Sequence, residues 1–198
     1  MTSINICNLA LSYLGNTRAI QSKTEQSTES ILCNRFYDIT RESLLEVYPW
    51  NFAVKEIDLI LAQNETNNGF AYVYEYPDDC LRVLKIMSAN DSNVIVNDYN
   101  VVYAHDAVDV KRIVCDVADA KASYIVDIQD VDAMPKSFRK ALALALAEEL
   151  AVPLSSSAQL AQVIQQKASI ALDTAKRMSA LERNQPLVKT NRYLDARR

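Results

Sequence analysis

An α+β fold is predicted, with helices at both ends of the chain and a β-rich insert between them, and three observations predict it. Apolar residues recur at three- and four-residue spacing before residue 48 and after residue 135, the period of one helix face. Between those positions, β-branched and aromatic runs alternate with Asn, Asp and Ser clusters at about ten-residue intervals, as short strands and turns do. The changeovers fall at Tyr48-Pro49-Trp50-Asn51-Phe52-Ala53, which holds the single tryptophan, and at Met134-Pro135-Lys136-Ser137-Phe138-Arg139. Pro49, Trp50, Phe52, Pro135, Phe138 and Arg139 are therefore the expected structural seam. The expected division is a helical bundle from residues 1–50 and 133–184, an inserted antiparallel β-domain over 51–132 built as a small sandwich or open barrel, and an extended C-terminal tail over 185–198.

Each element has a local reason. Ser3 is read as the cap of a short helix whose apolar side runs Ile4, Cys7, Leu11 and Leu14, with Gly15-Asn16 as a left-handed stop. Ser22-Lys23-Thr24-Glu25 fits a capping box and predicts a long helix to about Val47. Its main stripe is Cys33, Phe36, Tyr37, Thr40, Leu44 and Val47, and Ile31, Leu32 and Ile39 widen it, so more than one side is expected to be covered. Pro49 disfavours helix at Tyr48.

Strands are predicted at Val54 to Leu59, Phe70 to Tyr76, Leu81 to Met87, Val94 to Val96, Tyr99 to Ala104, Val110 to Cys115 and Ala122 to Ile128. Helix returns with Pro135 in the first turn, where its missing N–H has no intrahelical partner. Leu142, Leu144 and Leu146 alternate like a strand, but the run of Ala and Leu is long and favours a buried helix that Pro153 ends. Ser155-Ser156-Ser157 offers caps for a last helix along Leu160, Ile164, Ala168, Ala171, Ala175 and Met178, ending near Arg183 and on the order of 40 Å long.

Composition excludes several functions. The 198 residues suffice for one fair-sized core, or a core with a satellite. A net charge of -4 argues against a chain whose task is to grip phosphate backbones over a broad basic face. Two glycines, Gly15 and Gly69, against the about 7% of an average protein, cannot write either glycine-rich phosphate loop. No apolar run approaches the roughly 20 residues that span a bilayer, and the start lacks a secretory pattern, so no membrane partner is expected and the chain is read as made in a cytoplasm or released by lysis. Cys7, Cys33, Cys80 and Cys115 form no C-x-x-C pair and are read as small buried hydrophobes of a reducing compartment.

Catalytic, cofactor and metal sites are expected to be absent. His105, the only histidine, stands beside Asp106 in an expected loop without a nucleophile signature, and no ligand spacing suits a metal. Asp78-Asp79, Glu148-Glu149 and the run Asp127, Asp130, Asp132 are read as a solvated acidic face. Two of them at the right separation would instead make a glycosidase pair. Tyr72, Tyr74 and Tyr76 share one strand face without a basic groove, which favours packing or an interface over base stacking. The tail sets Lys189, Arg192, Arg197 and Arg198 among Pro186, Leu187, Val188, Tyr193 and Leu194. It reads either as a solvated terminus or as a segment that orders on a partner.

Taken in order, Asn8-Leu9-Ala10-Leu11-Ser12-Tyr13-Leu14-Gly15, Arg35-Phe36-Tyr37-Asp38 leading to Leu44-Leu45, Tyr48 to Ala53, Tyr76-Pro77-Asp78-Asp79-Cys80-Leu81-Arg82-Val83 and Met134 to Arg139 resemble the tail tubular protein A family of short-tailed bacteriophages. The resemblance spans nearly the whole chain. It implies a structural virion protein at the head-tail junction: a homo-oligomeric, twelve-fold ring docked under the portal protein, offering a platform to the tail nozzle protein, with double-stranded DNA passing through its bore without sequence readout. On that reading Pro186, Leu187, Lys189, Arg192, Tyr193, Leu194, Arg197 and Arg198 meet the portal. Two other classes remain open at this stage, a virion-associated peptidoglycan hydrolase and a small monomeric ligand-binding or regulatory protein.

Overall fold

A computed structural model of the chain describes residues 2–62, 69–88, 95–96, 98–105, 109–155 and 157–182, with the side chains of Ala104, His105 and Asp109 excepted. Among the described residues the chain is α+β, with four α-helices and two small antiparallel sheets. The helices are α1 (Ser3–Tyr13), α2 (Thr28–Glu46), α3 (Lys136–Leu154) and α4 (Ala158–Glu182). Between α2 and α3 lie β1 (Val54–Asp58), β2 (Tyr72–Glu75), β3 (Cys80–Ser88), β4 (Ile95–Val96), β5 (Tyr99–His105), β6 (Asp109–Cys115) and β7 (Ala120–Val126). Short 3-10 turns at Asn51–Ala53 and Val131–Ala133 mark the two changeovers.

Local chemistry explains the helix ends, with some shifts from expectation. In α1, Thr2 rather than Ser3 is the N-cap, and its side chain makes no capping bond. Gly15 does stop the helix, at φ +78°, with the Gly15 N–H donating to the Ser12 carbonyl and the Asn16 N–H to the Leu11 carbonyl, the crossed pair of a Schellman motif. The buried side of α1 is Ile6, Cys7, Ala10 and Leu11, one position round from the expected stripe, so Ile4 and Leu14 are only half-buried. The Asn8 side chain then clamps the following segment, donating to the Ile20 carbonyl and accepting from the Ile20 N–H.

The capping box at Ser22 does not start α2. Ser22 Oγ accepts from the Thr24 N–H and Glu25 Oε2 from the Gln21 N–H, closing a separate turn, while Ser27 caps the helix by accepting from the Ser30 N–H at 3.3 Å. The nearer cap is the one from which helical bonds propagate. Only one side of α2 is covered within the chain: Ser30, Cys33, Tyr37, Thr40, Arg41 and Leu45 are buried, whereas Ile31, Ile39 and Val47 are exposed, against expectation.

At the return, Pro135 is the N-cap of α3 and not its first helical residue, because its ψ of 152° is extended; its carbonyl accepts the first helical bond from Arg139. Pro153 sits inside the last turn and α3 runs one residue past it. The Ala-Leu run is helix, buried on most sides, and α3 packs against α1, α2 and α4. Ser157 begins α4 by accepting from the Leu160 N–H. The α4 core positions are Ile164, Ala168, Ala171, Ala175 and Ser179, so Ser179 takes the place expected of Met178, which is exposed.

All seven expected strands form, in the orders β1-β7-β3-β4 and β2-β6-β5. Register irregularities in β3, between Cys80 and Arg82 and between Val83 and Lys85, bend it along β7. The two sheets share one apolar cluster, to which β2 and β6 give Tyr74, Ile113 and Cys115, and β3 and β7 give Ile86, Ala122 and Tyr124. Tyr72, Tyr74 and Tyr76 all belong to that packing, with the Tyr74 hydroxyl donating to the Val117 carbonyl. The helices close a second cluster that also takes in Trp50, Val131 and Ile125 of β7. No helix among the described residues is long and apolar enough to cross a membrane.

Candidate functional site

The seam is built around three rings. Trp50 is 1% exposed and its indole N–H donates to the Leu44 carbonyl in the last turns of α2, at 2.8 Å. Its ring meets Phe138 of α3 edge-on at 4.9 Å between centroids, and Phe52 meets the same Phe138 at 5.0 Å. Such pairs contribute about 0.5–1.5 kcal/mol each beyond the area they bury. Pro49 is half-buried beside them. The Asn51 N–H donates to Ser179 Oγ and its side-chain amide to the Ser179 carbonyl, which ties the outgoing crossing to α4. Arg139 lies 3.6 Å from exposed Asp132, a pair of small energetic weight.

Reading the sequence for hydrophobic stripes missed the other half of the seam. Arg41, on the buried side of α2, is 2% exposed, and its guanidinium grips the Asp127 carboxylate and the Ile128 carbonyl just before the returning crossing. Burial alone would lower its pKa; the hydrogen bond and charge of Asp127, with Asp38 and Glu42 nearby, outweigh that and raise it. The available signal was a charged residue at helical spacing inside an apolar stripe. A buried cation without its partner is far costlier than the pair replaced by hydrocarbon. Asp127→Ala, which leaves the buried Arg41 guanidinium without its closest carboxylate, is therefore expected to lower stability by about 3–5 kcal/mol, while Arg41→Met combined with Asp127→Leu retains most of it. Urea denaturation of the two variants checks this ordering, and equal losses would contradict it.

Asp79 forms a second polar hub. It accepts from the Tyr124 hydroxyl at 2.7 Å and from Lys55 Nζ at 2.9 Å, and its carbonyl accepts from the Asp127 N–H, linking β1, β3 and β7 to the return. Burial opposes ionisation of Asp79, but the Tyr124 hydroxyl and the Lys55 ammonium prevail and hold its carboxyl below the usual range. Burial, then the adjoining carboxylate, push Tyr124 up to about 12. The depressed carboxyl stabilises the fold fully above about pH 4, its unfolded value, and loses that as pH falls through the lower folded value. The raised phenol stabilises fully below about pH 10 and loses it as pH rises toward the folded value. Asp79→Asn is expected to flatten the acid limb of stability against pH, measured by urea midpoints; an unchanged limb would show that the hub is not formed in solution.

Two grooves flank α4. One, of about 520 Å³, lies between α2, α3 and α4, with Phe36, Ile39, Ala145 and Leu172 among its walls and Glu148 and Glu149 at its edge. The other, of about 390 Å³, is lined by Tyr13, Lys140, Leu144, Lys167, Ile170 and Thr174 among others.

The remaining sequence-level candidates fall as follows. Residues 186–198, with all eight expected portal contacts, lie outside the described residues. His105 is not in a loop: it ends β5, paired with Asp109. The four cysteines are buried free thiols, and α1 and α2 bring Cys7 and Cys33 together, with the Cys7 thiol and burial raising the pKa of Cys33. Asp79 and Asp127 are engaged as above, and Asp130 accepts from the Asp132 N–H. Among the described residues no group of three His, Cys, Asp or Glu side chains is placed to hold a metal.

No protein-family model matches the chain, and no curated protein matches it either.

Proposed function

We propose that the chain is a structural virion protein, the head-to-tail adaptor of a short-tailed bacteriophage. Copies form a closed ring, twelve-fold as the resemblance implies, between the portal and the tail nozzle. Residues 1–50 and 133–184 form a helical bundle that builds the ring wall, the β insert of 51–132 decorates it, and the tail of 185–198 reaches the portal. The chain acts by shape and turns over no substrate.

The observation that carries this reading is the apolar surface left on the helices. Ile39 on α2 and Val163, Ile170 and Leu181 on α4 are 45% to 80% exposed, and exposed apolar residues gathered on one element mark an interaction surface. A ring closes through heterologous contacts, in which each copy offers two different faces to its neighbours. The segments carrying the resemblance support the reading too, since they fall on the stop of α1, the middle of α2, the turn before β3 and both crossings of the seam. A net charge of -4 suits a channel in which DNA slides, because many phosphate contacts would hold it.

Deleting residues 185–198 is expected to abolish binding to the purified portal ring of the same virus while leaving the circular dichroism spectrum and urea midpoint unchanged. Undiminished portal binding by the folded, truncated chain would overturn the role given to the tail.

A further inference from the structure

At 3.6 residues per turn, Gln165, Ala168, Ser169 and Leu172 lie on one flank of α4, and Lys167, Ile170 and Thr174 lie on the other. The first set lines the groove against α2, whereas the second lines the groove beside Tyr13. On the second flank Val163, Ile170 and Leu181 are exposed along a ridge about 27 Å long at 1.5 Å per residue, with exposed Lys167, Thr174 and Arg177 between them.

The two flanks differ in charge. The groove against α2 has apolar walls and two acids, Glu148 and Glu149, with no base among its described lining residues; the ridge side has Lys140 and Lys167 with no acid among its described lining residues. Complementary charge on two different faces of one molecule steers them together and sets their register. Apolar side chains projecting from a helix fill a groove between neighbouring helices in the same way that ridges pack inside a protein.

We propose that the Val163, Ile170 and Leu181 ridge of one copy seats in the Glu148 and Glu149 groove of the next, so that this ridge-in-groove contact is the lateral interface between copies. The inference rests on the ring-forming reading above and assigns the faces that such a ring uses. Because ridge and groove occupy opposite flanks of α4, the contact is head-to-tail and each copy engages two neighbours. Lys167 and Arg177 then approach the acidic edge of the groove, which fixes which way the neighbour faces. Ile39, exposed at the groove wall, gains an apolar partner.

The test uses the full chain with Ile170→p-benzoylphenylalanine, mixed with a nitrogen-15-labelled full chain and illuminated, with the adducts mapped by mass spectrometry. Adducts are expected on the labelled copy, in the peptides spanning Phe36 to Leu44 or Ala141 to Glu149. Their yield is expected to fall about tenfold when Glu148→Lys and Glu149→Lys reverse the groove. It is expected to recover when Lys167→Glu and Arg177→Glu are added to the same chain. Adducts confined to the chain's own residues 183–198, adducts elsewhere on the labelled copy, or no intermolecular adduct would each overturn the assignment. Electron microscopy of the same chain on the purified portal ring separates the two ideas: a ring without these adducts removes the interface and leaves the adaptor, whereas no ring removes the adaptor.

Discussion

The edge-on contact of Trp50 with Phe138 is the constraint on which the rest depends. Trp50 lies on the segment by which the chain leaves α2 for the strands, and Phe138 lies in the first turn of α3, to which it returns. A β insert between two helices must bring its ends together, and the entropy of that closure grows with the length enclosed. Here the ends are held by rings, by the Trp50 indole on the Leu44 carbonyl, and by Arg41 on Asp127 and Ile128. Ile125 of β7 enters the helical cluster directly, so one of the two inner strands of the larger sheet is anchored in the core it adjoins.

Much of this was legible in the residues because much of it is local. Periodicity located four helices and seven strands, Gly15 announced the end of α1, and the aromatic seam stood out by composition. What escaped depends on partners distant in sequence. The cap at Ser27 competes with a better-looking box at Ser22, whose Glu25 accepts instead from the Gln21 N–H and from Arg18. Ser179 rather than Met178 is in the core, where Asn51, far away in the chain, donates to it. Arg41 reads as an ordinary helix charge until Asp127 arrives across the fold. The strand order β1-β7-β3 and the division into two sheets likewise follow from non-local pairing, to which a period of two is blind. Of the candidate sites, the seam was visible and the acidic groove was not, because its walls come from three helices.

The apolar surface connects fold to role. Helix α2 was expected to be covered on more than one side, and within a single copy it is not: Ile31, Ile39 and Val47 face outward. A second copy supplies the missing cover in the proposed ring, and the same holds for the outer ridge of α4. Within the copy, the rings, the buried guanidinium and the Asp79 hub join the helices to the β insert at both crossings.

The most direct measurement is electron cryo-microscopy of the virus particle itself, with the chain located in the density by its seam and its long α4. A ring of this chain between portal and nozzle, with its helices forming the wall, is the expected result. Particles whose head-tail junction is built entirely from other proteins would contradict it.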